Sequence, residues 1–313
     1  MSFSPCRTAF AATLATLIAA AGGPALAADS LSFGTGADYA SGKYGGTTRT
    51  EVLVVPISAR LRWQDWSVRL TVPYITVRGP ADVIVIADDN GGSSGSSGGS
   101  SSSGSGRGSD DSGGSNSGGG GGSDDNGGGS GSGSGQGRGR GGNDSFSDNR
   151  SVSGIGDATL AVTRSFNAIA DTPVYIDVSG RVKFATGSAG KGLGVGATDY
   201  TAGSELGYSG KGGGVYVTAG RRFLGSTATL QRRDGWQWSA GGWVNLGDAV
   251  EAGLLYSWRE TAIVAGVDAR NVEASLGVLL GGGWQAGMFA GAGLSDGSPD
   301  YSGGVSLSWQ LPL

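Results

Sequence analysis

The last stretch of the chain, residues 301–313, repeats every second position. Tyr301, Gly303, Val305, Leu307, Trp309, Leu311 and Leu313 fall on one phase, and Ser302, Gly304, Ser306, Ser308 and Gln310 on the other. Successive side chains of a strand point to opposite faces, so the segment predicts a strand with one apolar face and one small, polar face. The same rhythm is found about twelve times, at 31–39, 51–63, 66–74, 155–166, 174–184, 199–208, 214–223, 236–246, 251–258, 271–280, 284–294 and 301–313. That repetition predicts an all-β chain: a transmembrane antiparallel β-barrel of about 12 strands, apolar outside and wet within. An open sheet edge has no hydrogen-bond partner in hydrocarbon, so the last strand is expected to pair with the first.

The connections sort by length. Gln64-Asp65, 167–172, 209–213, 247–250 and 281–283 are short, whereas 79–150, 187–198, 224–234 and 259–270 are longer, with 295–299 a short exception. Barrels of bacterial outer membranes have short periplasmic turns and long outer loops, which puts both termini on the periplasmic side. Trp236, Trp258, Trp284, Trp309, Tyr74 and Tyr200 lie near predicted strand ends, where aromatic rings mark the membrane boundaries. Pro56 and Pro73 fall inside strands, and each is expected to cause a local bulge or bend.

Two segments stand outside this pattern. Residues 1–27 carry one charge, Arg7, then an apolar core, a Gly-Gly-Pro break and the small-x-small site Ala25-Leu26-Ala27, which reads as a secretory signal cut near Ala27. The remainder, 28–313, is then the barrel, interrupted by the insert 79–150. From Gly91 that insert is nearly all Gly, Ser, Asp, Asn and Arg, so it buries too little apolar surface to order itself and is expected to be a disordered outer loop. Its Gly-Arg-Gly-Arg-Gly-Gly run at 137–142 does not indicate nucleic acid, because the exported chain is acidic. Without Arg7 it holds 21 of the 22 basic residues against 26 acidic, a net of −5.

There are no histidines, and the single cysteine, Cys6, leaves with the signal. This closes imidazole-driven catalysis, thiol chemistry and His- or Cys-based metal sites, and the reading is of a non-enzyme without cofactor or metal. The inward phase holds the candidate site instead. Arg60, Arg62, Arg69, Asp177, Arg181, Lys183, Glu205, Tyr216, Arg259 and Glu273 are expected to line a solute pathway, with Lys183 meeting Glu205 and Arg259 meeting Glu273. The arginines at 60, 62, 69 and 181 are an excess of one sign and the expected selective element.

Leu70-Thr71-Val72-Pro73-Tyr74, Ser153-Gly154-Ile155-Gly156-Asp157-Ala158-Thr159-Leu160, Lys183-Phe184-Ala185-Thr186-Gly187 and the run 192–200 (GLGVGATDY) occur in that order. In these the chain resembles the outer-membrane barrel family named for the meta-pathway of phenol degradation, over most of 31–313 apart from the insert. Ala185 stands where that family usually has proline. The resemblance implies transport of small solutes, aromatic or hydrophobic ones among them. The expectation is therefore a passive channel in the outer membrane of a Gram-negative bacterium, its partners being membrane lipid and a small-molecule solute. A structural or surface-display barrel with the Gly/Ser-rich loop as an adhesive or spacer segment is the alternative.

Overall fold

The computed structural model describes residues 29–44, 48–79, 83–85, 119–121, 150–167, 169, 172–263 and 266–313. Among them, twelve antiparallel strands follow one another around a closed wall. These are β1 (Ser30–Gly42), β2 (Thr50–Trp63), β3 (Trp66–Gly79), β4 in two pieces (Arg150–Ile155 and Thr159–Phe166), β5 (Val174–Lys183) and β6 (Asp199–Gly210). They continue with β7 (Gly213–Phe223), β8 (Gly235–Asn245), β9 (Val250–Arg259), β10 (Ala269–Gly281), β11 (Trp284–Gly293) and β12 (Tyr301–Pro312). Each strand pairs with its sequence neighbours, and β12 returns to β1 in unbroken register from Ser30↔Pro312 to Ser41↔Tyr301. One step further, Leu313 N–H donates to the Asp29 carbonyl at 2.9 Å, so the seam is closed along its whole length.

The alternation read from the sequence is the alternation of the wall. Ile57 is 64% exposed and Leu254 61%, both at mid-strand, and Phe33, Leu70, Val217 and Val305 are turned out in the same way. Leaving a large aliphatic side chain in water forgoes about 1.5–3 kcal/mol. A belt of such residues around a molecule is stable only where hydrocarbon covers it. Aromatic rings mark its two edges. At the end with short turns, Trp284 and Trp309 lie 6.3 Å apart, and Arg164 sits 5.2 Å over Trp66 and 5.1 Å over Phe166. At the loop end Tyr39 and Tyr301 are 6.2 Å apart, and Arg221 lies 5.1 Å over Trp236. Rings with a cation at their outer edge suit the boundary between hydrocarbon and headgroups.

The prolines act differently from expectation. Pro56 and Pro73 face each other directly and the β2–β3 register passes them without a bulge. Their missing N–H groups act on the outer sides of that pair. The β1–β2 pairing skips from Thr35↔Ile57 to Asp38↔Val54, and beyond Pro73 the neighbour β4 breaks at 156–158 and shifts register by one residue, from Tyr74↔Ile155 to Thr71↔Thr159. Gly156 N–H still donates to the Pro73 carbonyl at 2.9 Å, and the Ile75 and Pro73 side chains fill the space over Gly156, so the wall stays sealed.

The insert leaves at Gly79 and re-enters at Arg150, which are register partners. Within it, Val83–Val85 pairs antiparallel with Gly119–Gly121. The rest of the predicted disordered tract lies outside the described residues, as does the predicted signal 1–27.

Candidate functional site

A closed wall with an apolar exterior collects its polar side chains inside. Following the register, Asp177, Glu205, Thr218, Ser239, Ser257 and Asn271 face one another in turn across β5 to β10. All but Thr218 are buried. Thr218 and Ser239 share a hydrogen bond of 2.5 Å, and the Tyr175 hydroxyl donates to Glu205 at 2.8 Å. A second row is basic: Arg60 faces Arg69, Arg69 faces Ala161, Ala161 faces Arg181, and Thr201 joins Arg181 to Arg222. Arg62 sits two residues from Arg60 on the same phase, opposite Ser30 and Ser67.

The inner aromatics lie flat. Tyr175 faces Gly207 and its ring occupies the place where a Cβ there would stand. Tyr216 lies over Gly241 in the same way, and Trp243 over Gly214. Glycine is required at these three places by close approach, since any side chain would push the ring into the bore. Tyr175, Tyr216 and Leu255 form one buried cluster, with Trp243 packed against it and its ring 6.1 Å from that of Tyr216. Trp243 was missed by the sequence reading, although its odd position in 236–246 puts it on the phase of Ser239 rather than that of Trp236.

The loop end is a built mouth. Lys183 closes β5 and Asp199 opens β6, and they are register partners with Nζ to Oδ2 at 2.6 Å. Lys183 thus meets Asp199, not Glu205. Arg232, from the loop 224–234, adds a two-pronged contact: Nη1 to Asp199 Oδ1 at 2.8 Å and Nη2 to Oδ2 at 3.0 Å. Gly225 N–H donates to the same carboxylate at 2.9 Å. The three charged side chains are 3%, 2% and 1% exposed, so the triad is sealed from water. Each donor it satisfies lessens the cost of burying these charges.

Between those anchors, the loop 184–198 folds inward. Asp157, at the break in β4, accepts from Gly187 N–H at 2.9 Å and Val195 N–H at 3.2 Å. Leu193 then packs on the inner faces of β2 and β3 in a cluster with Val52 and Ile75, flanked by Val54, Val77 and Val152. The loop therefore crosses from its own strands to those two. At this level the inside of the wall is apolar because a loop, not water, lies against it. On the seam side of the mouth, Tyr44 is buried, and burial, followed by the negative charges of Asp300 and Tyr39, pushes its phenol above the usual range.

Of the remaining expected residues, Arg259 and Glu273 are buried on the inner phase. Register places Arg259 opposite Gln237 and Ala269, and Glu273 opposite Leu255 and Gly291, so the two do not stand directly opposite each other. Asp199, Arg222 and Arg232 add to the charged interior and were not singled out in advance. Asp199 could have been found from its place beside the first strong alternation after the loop; Arg232 lies in a connection and carries no such signal.

The fold and this interior define a membrane-spanning β-barrel with a charged bore and a folded mouth. No protein-family profile matches the chain, and no curated protein does. Among solved structures it is similar to a KdgM porin, at 6% identity over 89% of this chain and 98% of that one, with a TM-score of 0.45. It is also similar to a CymD monoaromatic hydrocarbon channel, at 9% identity over 92% and 89% with a TM-score of 0.40. A third likeness is to the translocator domain of the autotransporter NalP from Neisseria meningitidis, at 11% identity over 97% and 94% with a TM-score of 0.41. At such values the likeness carries nothing about solute or mechanism.

Proposed function

We propose that the chain is a passive channel of a Gram-negative outer membrane, which lets small solutes cross without cofactor or energy source. The observation that supports this best is the division of one closed wall into an apolar outer phase and a charged inner one. A lumen of mixed charge lets a solute exchange hydration water for side-chain hydrogen bonds. In this reading Arg60, Arg62, Arg69 and Arg181 set the preference for anions, Asp177, Glu205, Arg259 and Glu273 shape the polar lining, and Lys183 belongs to the mouth. Tyr216, with Tyr175 and Trp243, gives aromatic solutes a face to stack on, in keeping with the family resemblance.

The test is conductance of the refolded chain in planar bilayers, with and without Arg60→Ser, Arg62→Ser and Arg69→Ser combined. The triple change is expected to shift the chloride-to-potassium permeability ratio toward potassium by about threefold or more. Absence of conductance, or an unchanged ratio, removes the reading.

The alternative, a display barrel, is favoured by one observation: the insert is a closed excursion anchored at the single pair Gly79↔Arg150. Deleting 91–143 is expected to leave bilayer conductance within about twofold of the parent, because loop length hardly alters closure. If the deletion leaves flux intact and abolishes binding of cells to a surface, the display reading gains and the insert is the functional segment.

A further inference from the structure

One place on the inner wall combines an unmet charge with a ring. Asp38 of β1 faces Gly304 of β12, and Gly304 in turn faces Phe289 of β11. A Cβ on Gly304 would collide with Asp38 Oδ1 and with Phe289 Cε1, so carboxylate and ring converge over the one glycine. Around them β11 and β12 turn only small residues inward: Gly287, Gly291, Ser302 and Ser306. Phe289 is buried, whereas Asp38 keeps part of its surface open to the bore. Its Oδ1 is nevertheless sealed from water and accepts no hydrogen bond.

Two other buried carboxylates meet donors: Asp199 has Lys183 and Arg232, and Glu205 has Tyr175. The register neighbours of Asp38 are Gly304 and Val54, neither of which has a side chain that can donate. A carboxylate desolvated on one side with no counter-charge is costly to keep ionised, and a cation brought to its open edge offsets that cost. An aromatic ring beside it presents a second surface attractive to cations.

We propose that Asp38 and Phe289 form a solute subsite for organic cations, an ammonium group carried on a compact aromatic or apolar body. The ammonium stands at the open edge of the Asp38 carboxylate, and the body lies along Phe289 over the bare wall of β11 and β12. Glycine at 304 is needed because any side chain there would fill the gap between the two groups. The channel then handles both signs of charge on neighbouring stretches of the wall: anions along the arginine row of β2, β3 and β5, and cations along the β1–β12 seam beside it. This rests on the bore being the solute pathway.

The experiment is calorimetric titration of the refolded full chain in neutral detergent with three probes of one shape: benzylammonium, benzyl alcohol and benzoate. Benzylammonium is expected to bind, with benzyl alcohol and benzoate at least about tenfold weaker. Asp38→Asn, nearly identical in shape, is expected to weaken benzylammonium by about tenfold, and Phe289→Leu by about threefold. Equal binding of benzyl alcohol to the parent, or an unchanged affinity in Asp38→Asn, overturns the subsite. The ranking on the parent chain decides even where a variant does not refold. Since the readout is binding in detergent, a chain that binds benzylammonium but conducts nothing in bilayers contradicts the channel and leaves the subsite standing. A conducting chain indifferent to the three probes does the reverse.

Discussion

Replacing Asp199 with asparagine is expected to loosen the whole loop end while leaving the barrel wall intact. The carboxylate answers Lys183 Nζ, both terminal nitrogens of Arg232 and the Gly225 N–H, with the three charged side chains out of reach of water. An amide of the same shape leaves two buried cations uncompensated. Removing one member of a buried ion pair costs about 3–5 kcal/mol. The loss falls on 184–198 and 224–234, because Lys183 and Asp199 form the base of the first loop and Arg232 belongs to the second. Backbone amides in both loops, Gly225 first, are expected to exchange with deuterium far faster than in the parent, and protease should cut there. Strand amides of β8 to β12 should keep their protection. Asp199→Glu, which retains the charge, should recover part of the effect. Unchanged exchange at Gly225 would show that the triad does not hold the mouth.

The second large effect is expected from Leu193→Asp. Leu193 is buried against Val52 and Ile75 on the inner wall. Withdrawing a leucine from such contacts costs about 1.5–3 kcal/mol, and forcing a carboxylate into them adds more, since the surrounding valines offer no donor. A change of roughly 3 kcal/mol shifts a docking equilibrium by about 100-fold. The loop should then leave the wall, and the Gly187 and Val195 amides, which donate to Asp157, should lose their protection. In bilayers the unit conductance should rise severalfold, because the loop no longer crosses the mouth. Leu193→Met keeps bulk and apolarity and should behave as the parent. A Leu193→Asp chain with parental conductance and protected amides would mean that the loop is held by its ends alone.

The contrast between these two sites and the wall shows what the residues disclose before folding. Strand positions and their lipid phase were legible because each strand carries its own alternation, repeated from Leu53 to Trp63 and from Trp66 to Tyr74. The seam followed from the rule that hydrocarbon tolerates no free edge. Register across a long connection did not follow. Lys183 and Asp199 are separated by a folded loop, and nothing local says that they stand level; pairing Lys183 with Glu205 was an error of six residues along β6. The docked loop did leave a trace. Val52, Leu53, Val54 and Val55 are apolar on both phases, and a strand facing lipid on one side and water on the other has no reason to be. Val52 turns out to be what Leu193 packs upon, with Val54 at the flank of that cluster. Sequence alone presents the prolines as two separate defects, whereas standing face to face they spare their shared ladder and move the irregularity to β1 and β4.

The seam between β1 and β12 also sets the order of events during assembly. Ser30 stands opposite Pro312 and Ser41 opposite Tyr301, pairings that join the first strand to the last. Strand pairs joined by short turns can zip up from a local hairpin, but this one waits until both ends have been delivered. Until that moment two long strand edges have unpaired N–H and C=O groups, so the closing step is the slow one, and the nascent polypeptide is most open to mispairing or capture by helper proteins just before its final strand arrives.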